Sequence, residues 1–327
     1  MKRLYLMLIA AIACGVSAMA QDSRVATLQH GTNFRTYYGT DAFISAHNDA
    51  SDGDVITLSA GEFDTGNISK AITIRGAGMK LTSIKTGGDP LYCNMSQGSG
   101  YTLCFEGLSI CVITDWHRNA NWGDIGFNGN GSGTIVLSKC GIKGTYGTTT
   151  FSKCNAIVMQ SYVEKPTSSA SSNVTFINSI LNVSSRGNGY NMQNCVIIQT
   201  PNVTNSSIKN SIVYAKCSLD NTNVTSHCLV KEGSSGFADS WYIKAEQPEP
   251  DPWGETPTYT LFDELFTEDY HLTEEAAATY VGTDGTEVGI YGGAYPYDIT
   301  PDYPLVKNLE VKGIHEEGKL TVKINVE

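Results

Sequence analysis

The chain has 327 residues, a formal net charge of −11 and only 17% charged side chains. A polyanion-binding surface needs clustered Lys and Arg, and no such cluster occurs, so nucleic acid is excluded as a partner. Glycine is abundant at 33 residues and Ser, Thr and Asn are frequent, which favours strands and turns over helices.

The opening "MKRLYLMLIAAIACGVSAMA", residues 1–20, sets two basic residues before an apolar run and a small-x-small site at Ala18-Met19-Ala20. That is the layout of a secretory signal peptide, so the rest of the chain is expected to be exported, to the periplasm, the cell surface or the medium. Lipidation at Cys14 is the lesser alternative, because "AIAC" lacks the Leu three places before the cysteine that a lipobox carries. No later apolar run is long enough for a transmembrane segment. Beyond Cys14 stand Cys93, Cys104, Cys111, Cys140, Cys154, Cys195, Cys217 and Cys228. They are expected to be free, buried thiols, because neighbouring side chains on in-register parallel strands are poorly placed for a disulfide.

An N-terminal cap is expected over 23–53. Within it "TDAFISAHNDAS", residues 40–51, carries Phe43, Ile44 and His47 at helical spacing, with Asp41 as N-cap. His47 reads as a residue on the cap surface. Strands begin with "GDVITLSAG", where Ile56 and Leu58 share one face, and return about sixteen residues later in "KAITIRGAG" with Ile72 and Ile74. The same step recurs downstream. Ser179, Cys195 and Ser211 follow one another at sixteen residues and Cys228 at seventeen, each before branched apolar residues. Cys140 in "LSKCGI" and Cys154 in "FSKCNAI" read as members of this column, and the longer intervals 107–140 and 154–179 read as loop insertions.

A strand every sixteen or so residues leaves no room for a helix between strands, so parallel βαβ units are excluded. Stacked parallel coils fit, with equivalent positions piled at about 4.8 Å. The expected fold is therefore all-β: a single-stranded right-handed parallel β-helix over 21–304, with a short N-terminal capping helix. In such a stack Ser179, Cys195, Ser211 and Cys228 form an inward small-residue ladder. Asn178, Asn194 and Asn210 form an amide ladder, each side chain bonded to the next. A Pro-rich, acidic stretch, "EQPEPDPWGETP" at 246–257, reads as a connector. The end alternates Leu320, Val322, Ile324 and Val326 with polar residues and is expected to pair with "LVKNLEVKG" as a β-hairpin over 305–327.

Residues 52–78, "DGDVITLSAGEFDTGNISKAITIRGAG", resemble the first coils of the pectate-lyase-like β-helix superfamily. Residues 269–293, "DYHLTEEAAATYVGTDGTEVGIYGG", resemble the closing coils of exported β-helix proteins. The resemblance implies the fold and leaves activity open, since this fold hosts lyases, hydrolases, esterases, adhesins and inert spacers.

Glycoside hydrolysis needs two carboxylates across the bond, and β-elimination of uronides needs a basic residue with a neutralising cation. The paired-Asp, G-H-G and R-x-K signatures of polygalacturonases are absent, as are the Q-D-T and D-F-I-F-G blocks of pectin methylesterases. No run of Asp resembles a pectate-lyase calcium cage, so no metal ligand set is assigned. "TDWHRNANWGDIGFNGNGSG", residues 114–133, is the richest stretch in sugar-contacting types. Trp116 and Trp122 offer aromatic faces, and Asp115, His117, Arg118 and Asp124 offer polar groups for hydroxyls. The competing reading has the Trp rings packing a loop onto the body. Asp115 and His117 could form an acid/base pair, but neither a nucleophile nor a metal accompanies them. Asn-Val-Thr at Asn173, Asn202 and Asn223 is strand-and-turn vocabulary at no fixed offset, which argues against a regular Thr array.

The expected function is an exported or cell-surface interaction protein that contacts a polysaccharide or another extracellular protein, without chemistry or cofactor of its own. Two alternatives stand beside it. One is a polysaccharide lyase or glycosidase with an unrecognised site, for which Ca2+ would enter only with the lyase. The other is a passive structural spacer.

Overall fold

A computed structural model of the chain describes residues 24–86, 89–96, 98, 100–112, 124–144, 147–183, 186–249, 258–303, 306–312 and 321–326. The signal-peptide segment with Cys14 and most of the Pro-rich connector lie outside these residues. The protein is an all-β parallel β-helix built on two long sheets, which we term front and back. The front sheet has 13 strands and runs from the N-terminal hairpin through Val55–Leu58, Thr73–Arg75 and Thr102–Glu106 to Val224–Ser226. Its opposite, the back sheet, has 10 strands, from Gly61–Asp64 to Trp241–Ile243. Register is exact from coil to coil: Ile56 lies beside Ile74, Ile74 beside Phe105, and Phe105 beside Leu137.

From Thr102–Glu106 onward, each passage from front to back sheet turns on one residue in the left-handed region: Gly107, Lys139, Gln160, Asn178, Asn194, Asn210 and His227, with Asp239 in the same position before Trp241–Ile243. A single left-handed residue redirects the chain without spending a loop. Asn tolerates that conformation better than other non-glycine residues, which explains its place in the repeated phrase. The residue that follows faces inward. Ser211 Oγ accepts the Cys195 N–H at 3.0 Å and donates to Lys209 O at 2.7 Å, tying one coil to the next. Ser161 bonds Cys140 N and Met159 O in the same way, and Ser240 takes Cys228 N.

Two sequence expectations change here. Ser161, not Cys154, is the column member after Cys140. Lys153-Cys154 lies inside the strand Thr149–Met159, where Lys153 is also left-handed and Cys154 pairs with Gly133, so an almost identical phrase serves another corner. The Asn side chains, moreover, do not bond one another. They point outward, toward a segment described below.

The interior is apolar and aromatic. Phe105, Phe127, Phe151, Phe176 and Tyr190 stack along the axis with ring centroids 5.2 to 6.2 Å apart. Burying each ring contributes about 1.5–3 kcal/mol, and each ring pair roughly a further 0.5–1.5 kcal/mol. All eight described cysteines are unpaired, and six are buried. Burial pushes the Cys195 and Cys140 thiols up to about 12.

The N-terminal cap holds a hairpin as well as the expected helix. Strand β1 (Val25–His30) pairs antiparallel with β2 (Asn33–Tyr38) and with Val55–Leu58. Helix α1 (Ala42–Asp49) closes the end of the stack with Phe43 and Ala46 turned inward. Asp41 occupies the N-cap position, but its side chain makes no capping bond. His47 is buried, not on the cap surface, and packs on Phe43.

Residues 258–303 form no closing coil. They contain two 3-10 turns and the helix Glu274–Thr279, and they run back over the outside of the back sheet as a strap. Phe262, Leu265, Leu272, Val288 and Ile290 cover Val196, Ile212 and Leu229. The strands under the strap are thus apolar on both faces, which is why the repeated phrase runs Val-Ile, Ile-Val and Leu-Val instead of alternating. The left-handed corner residues hold the strap. Asn210 Oδ1 accepts Thr283 N at 3.0 Å, and Asn178 Nδ2 donates to Ile290 O at 2.8 Å and Gly292 O at 2.6 Å. Gln160 reaches Pro296 O, buried Lys139 reaches Thr300 O and Asp302, and Tyr303 reaches Gly76 O. Beyond the strap, Val306–Lys312 pairs antiparallel with Thr321–Val326, the expected C-terminal hairpin. No helix among the described residues is long and apolar enough to cross a membrane.

Candidate functional site

Among the described residues the front sheet carries no strap, and one part of it is wider than a single coil. The intervals 107–140 and 154–179, expected to hold loop insertions, each contain a strand segment, and two further segments outside those intervals join them. Leu91–Asn94, the first part of Ile125–Ser138, the first part of Thr149–Met159 and Pro166–Ser168 pair in parallel beside the main stack. Three of these segments share one pattern: "LYCN", "IGFN" and "TTFS". Alternation sends Leu91, Ile125 and Thr149, then Cys93, Phe127 and Phe151, into the interior. It turns Tyr92, Gly126 and Thr150, then Asn94, Asn128 and Ser152, to the outside.

These outward residues, with Asp124, line an open groove of about 410 Å³, within the range of roughly 300–1,000 Å³ usual for small-ligand sites. Tyr92 forms one side, 42% exposed, with its ring over Gly126. A Cβ at Gly126 would stand 2.8 Å from Tyr92 Cδ1, so glycine is what lets the ring lie there. Asn94, Asn128 and Ser152 supply amide and hydroxyl groups along the floor. Asp124 stands at the rim, where its Oδ1 accepts Thr148 N at 2.7 Å and Thr148 Oγ1 at 3.2 Å. Thr148, Thr150 and Thr167 continue as a chain of hydroxyls in 3.2 Å contacts. Among the described lining residues, Asp124 alone carries a charge. The arrangement offers one aromatic face, several neutral donors and acceptors, and one anchored carboxylate.

Of the six glycan-contact candidates in the sequence, the structure places Asp124 in this groove. Trp116, Trp122, Asp115, His117 and Arg118 lie outside the described residues. The ladder residues Ser179, Cys195, Ser211 and Cys228 are buried inside the stack, and Asn178, Asn194 and Asn210 are buried beneath or beside the strap. None of them reaches the groove. Tyr92, Asn94, Asn128, Thr150 and Ser152 escaped sequence reasoning, although the shared alternation of the three segments was a usable signal. Among the described residues no group of three or more His, Cys, Asp or Glu side chains could hold a metal ion. In comparisons with known proteins, the chain matches no family model and no curated protein.

Proposed function

We propose that the protein is an exported β-helix interaction module whose front-sheet groove binds a neutral glycan, without chemistry of its own. The observation that carries this reading is the groove's composition: an exposed Tyr over Gly126 beside Asn94, Asn128, Ser152 and Thr150, with a single carboxylate. An aromatic face stacks on the apolar face of a pyranose, while amides, hydroxyls and Asp124 match its hydroxyls. A glycosidase site would need a second carboxylate about 5–9.5 Å from the first, and the described lining supplies one. An acidic glycan would call for Arg or Lys in the lining, and the described lining has neither.

The test is a glycan array with the purified protein, followed by calorimetry on the best ligand. Tyr92→Ala should weaken binding at least tenfold, about 1.4 kcal/mol, and leave the melting temperature unchanged. Asp124→Asn should weaken it less. Release of reducing ends or unsaturated uronides from the bound glycan would sink the binder reading, as would the absence of any retained glycan.

A further inference from the structure

The front sheet ends at β2, and that edge is long, exposed and aromatic. Strand β2 pairs with β1 on one side and, among the described residues, with nothing on the other. Five of its six residues are exposed, including Phe34 at 67% and Tyr38 at 57%. Natural edges are blunted by charge, proline, bulges or a covering segment. This one carries a single charge, Arg35, which is already paired with Asp49 on the inner face at 2.5 Å. Tyr37 donates to the same carboxylate. The outer row of the strand, Phe34, Thr36 and Tyr38, is left uncharged and aromatic.

The hydrogen-bond parity of the edge follows from the register. His30 faces Asn33 across a two-residue turn, and Gly39 N donates to Arg24 O at 3.0 Å. In an antiparallel pair, positions alternate between bonded and non-bonded, so Asn33, Arg35 and Tyr37 are the residues bonded to β1. Val25, opposite Tyr38, gives its carbonyl to Ser59 N on the far side of β1. The backbone groups of Phe34, Thr36 and Tyr38 therefore point to the open edge. These are also the residues whose side chains form the aromatic row.

We infer that a second copy of this chain pairs with this edge, β2 antiparallel to β2, about a twofold axis at Thr36. In that register Thr36 meets its own copy and Phe34 meets Tyr38 of the other chain, twice. The three outward-pointing residues become the bonded pairs with no slip. Aromatic pairs directly opposite one another are among the favourable cross-strand combinations. Arg35 falls opposite Tyr37 of the other copy. The two Arg35 side chains are diagonal neighbours, each neutralised by its own Asp49. A parallel or slipped pairing would lose either the hydrogen-bond parity or the Phe34–Tyr38 match. The contact is one six-residue strand, smaller than a standard interface of about 1,200–2,000 Å², and the chain carries −11 overall. The dimer is accordingly weak and concentration-dependent.

Sedimentation equilibrium of the purified processed protein, from roughly 10 μM to about 1 mM, is expected to show the mean mass rise toward twice the monomer's. Thr36→Lys and Thr36→Glu each place like charges face to face at the axis and should each stay monomeric with an unchanged melting temperature. A one-to-one mixture of the two should recover the doubled mass. Hydrogen exchange adds a second readout: with rising concentration, the amides of Phe34, Thr36 and Tyr38 gain protection while those of Arg35 and Tyr37 do not change. A wild-type protein that stays monomeric throughout overturns the inference. So does a dimer that Thr36→Lys leaves intact, or well-folded charge variants that fail to pair when mixed.

Discussion

Strand Asn173–Ile177 of the front sheet alternates exposed and buried residues, whereas Val196–Ile197 of the back sheet is buried on both faces. The two sheets enclose one interior and differ only outside. On the back, Val196, Ile212 and Leu229 meet the strap's Phe262, Leu265, Val288 and Ile290. On the front, the strands of the same coils turn Asn191, Gln193, Ser207, Lys209 and Val224 outward, and the widened part, faced by Tyr92, Asn94, Asn128, Thr150 and Ser152, forms the groove. The solenoid thus assigns one outer face to its own closure and leaves the other for contact. The repeated phrase belongs wholly to the first of these.

The comparison can be broken most severely from inside. Phe151 sits between Phe127 and Phe176 in the shared interior. Phe151→Ala should cost about 3–5 kcal/mol and melt both sheets together. Denaturant unfolding followed by a front probe and a back probe checks this, and separate transitions would contradict a common core. A smaller effect should be confined to the back. Asn178 and Asn194 are both left-handed, at φ 45° and 52°. Asn178 donates twice to the strap, while Asn194 Nδ2 lies buried beside Gly292 with no acceptor in hydrogen-bond geometry and only helps to hold the Asp284 pKa down. Glycine relieves the backbone at either position. Asn178→Gly should therefore cost about 1–3 kcal/mol through the carbonyls it abandons, seen as faster hydrogen exchange around Gly293. Asn194→Gly should stay within about 1 kcal/mol of the wild type. Glycan binding on the front should be the same in both, and equal costs at the two sites would refute the hold of Asn178 on the strap.

The coil period was legible because stacked coils repeat their inward residues, as Ser179, Cys195 and Ser211 do. The corner was half legible. Asn before Ser or Cys signals a left-handed residue, but Lys139, Gln160 and His227 occupy the same corner without advertising it. Cys154 misled for the converse reason: "SKC" carries the local corner chemistry and says nothing of which corner. The strap was hidden because its partners are carbonyls and side chains 73 to 227 positions distant in sequence, and no local pattern encodes such pairs. Hairpin β1–β2 was missed because its outer strand is exposed on both faces, so the alternation that marks a half-buried strand is absent. In the groove, Asp124 was found through its composition-rich neighbourhood, while Tyr92 and Asn128 look ordinary until the three segments are laid side by side.

The finest contrast is between the two ends of the closure, and pH separates them. His47 in α1 has its pKa lowered, first by burial and then by the nearby Lys70 charge, and its Nε2 accepts Ser69 N at 3.4 Å. The folded state therefore prefers the neutral ring. As pH falls below the ordinary value near 6.5, the unfolded chain takes up the proton first, and stability drops until the folded pKa is passed. Asp284 in the strap behaves differently. Burial pushes its pKa up, but bonds from the Thr286 hydroxyl and amide outweigh this, and the net shift is downward. Its contribution is complete above the ordinary value near 3.8 and fades only as pH falls through the lowered pKa. Hydrogen exchange across an acid series should show the cap around α1 loosening first, as pH falls below about 6.5, with the strap still protected. Strap amides should follow only below about pH 4. His47→Gln keeps an acceptor for Ser69 and should remove the first step while leaving the second in place. If strap and cap loosen together in the wild type, the two ends are one cooperative unit and the separation between them fails.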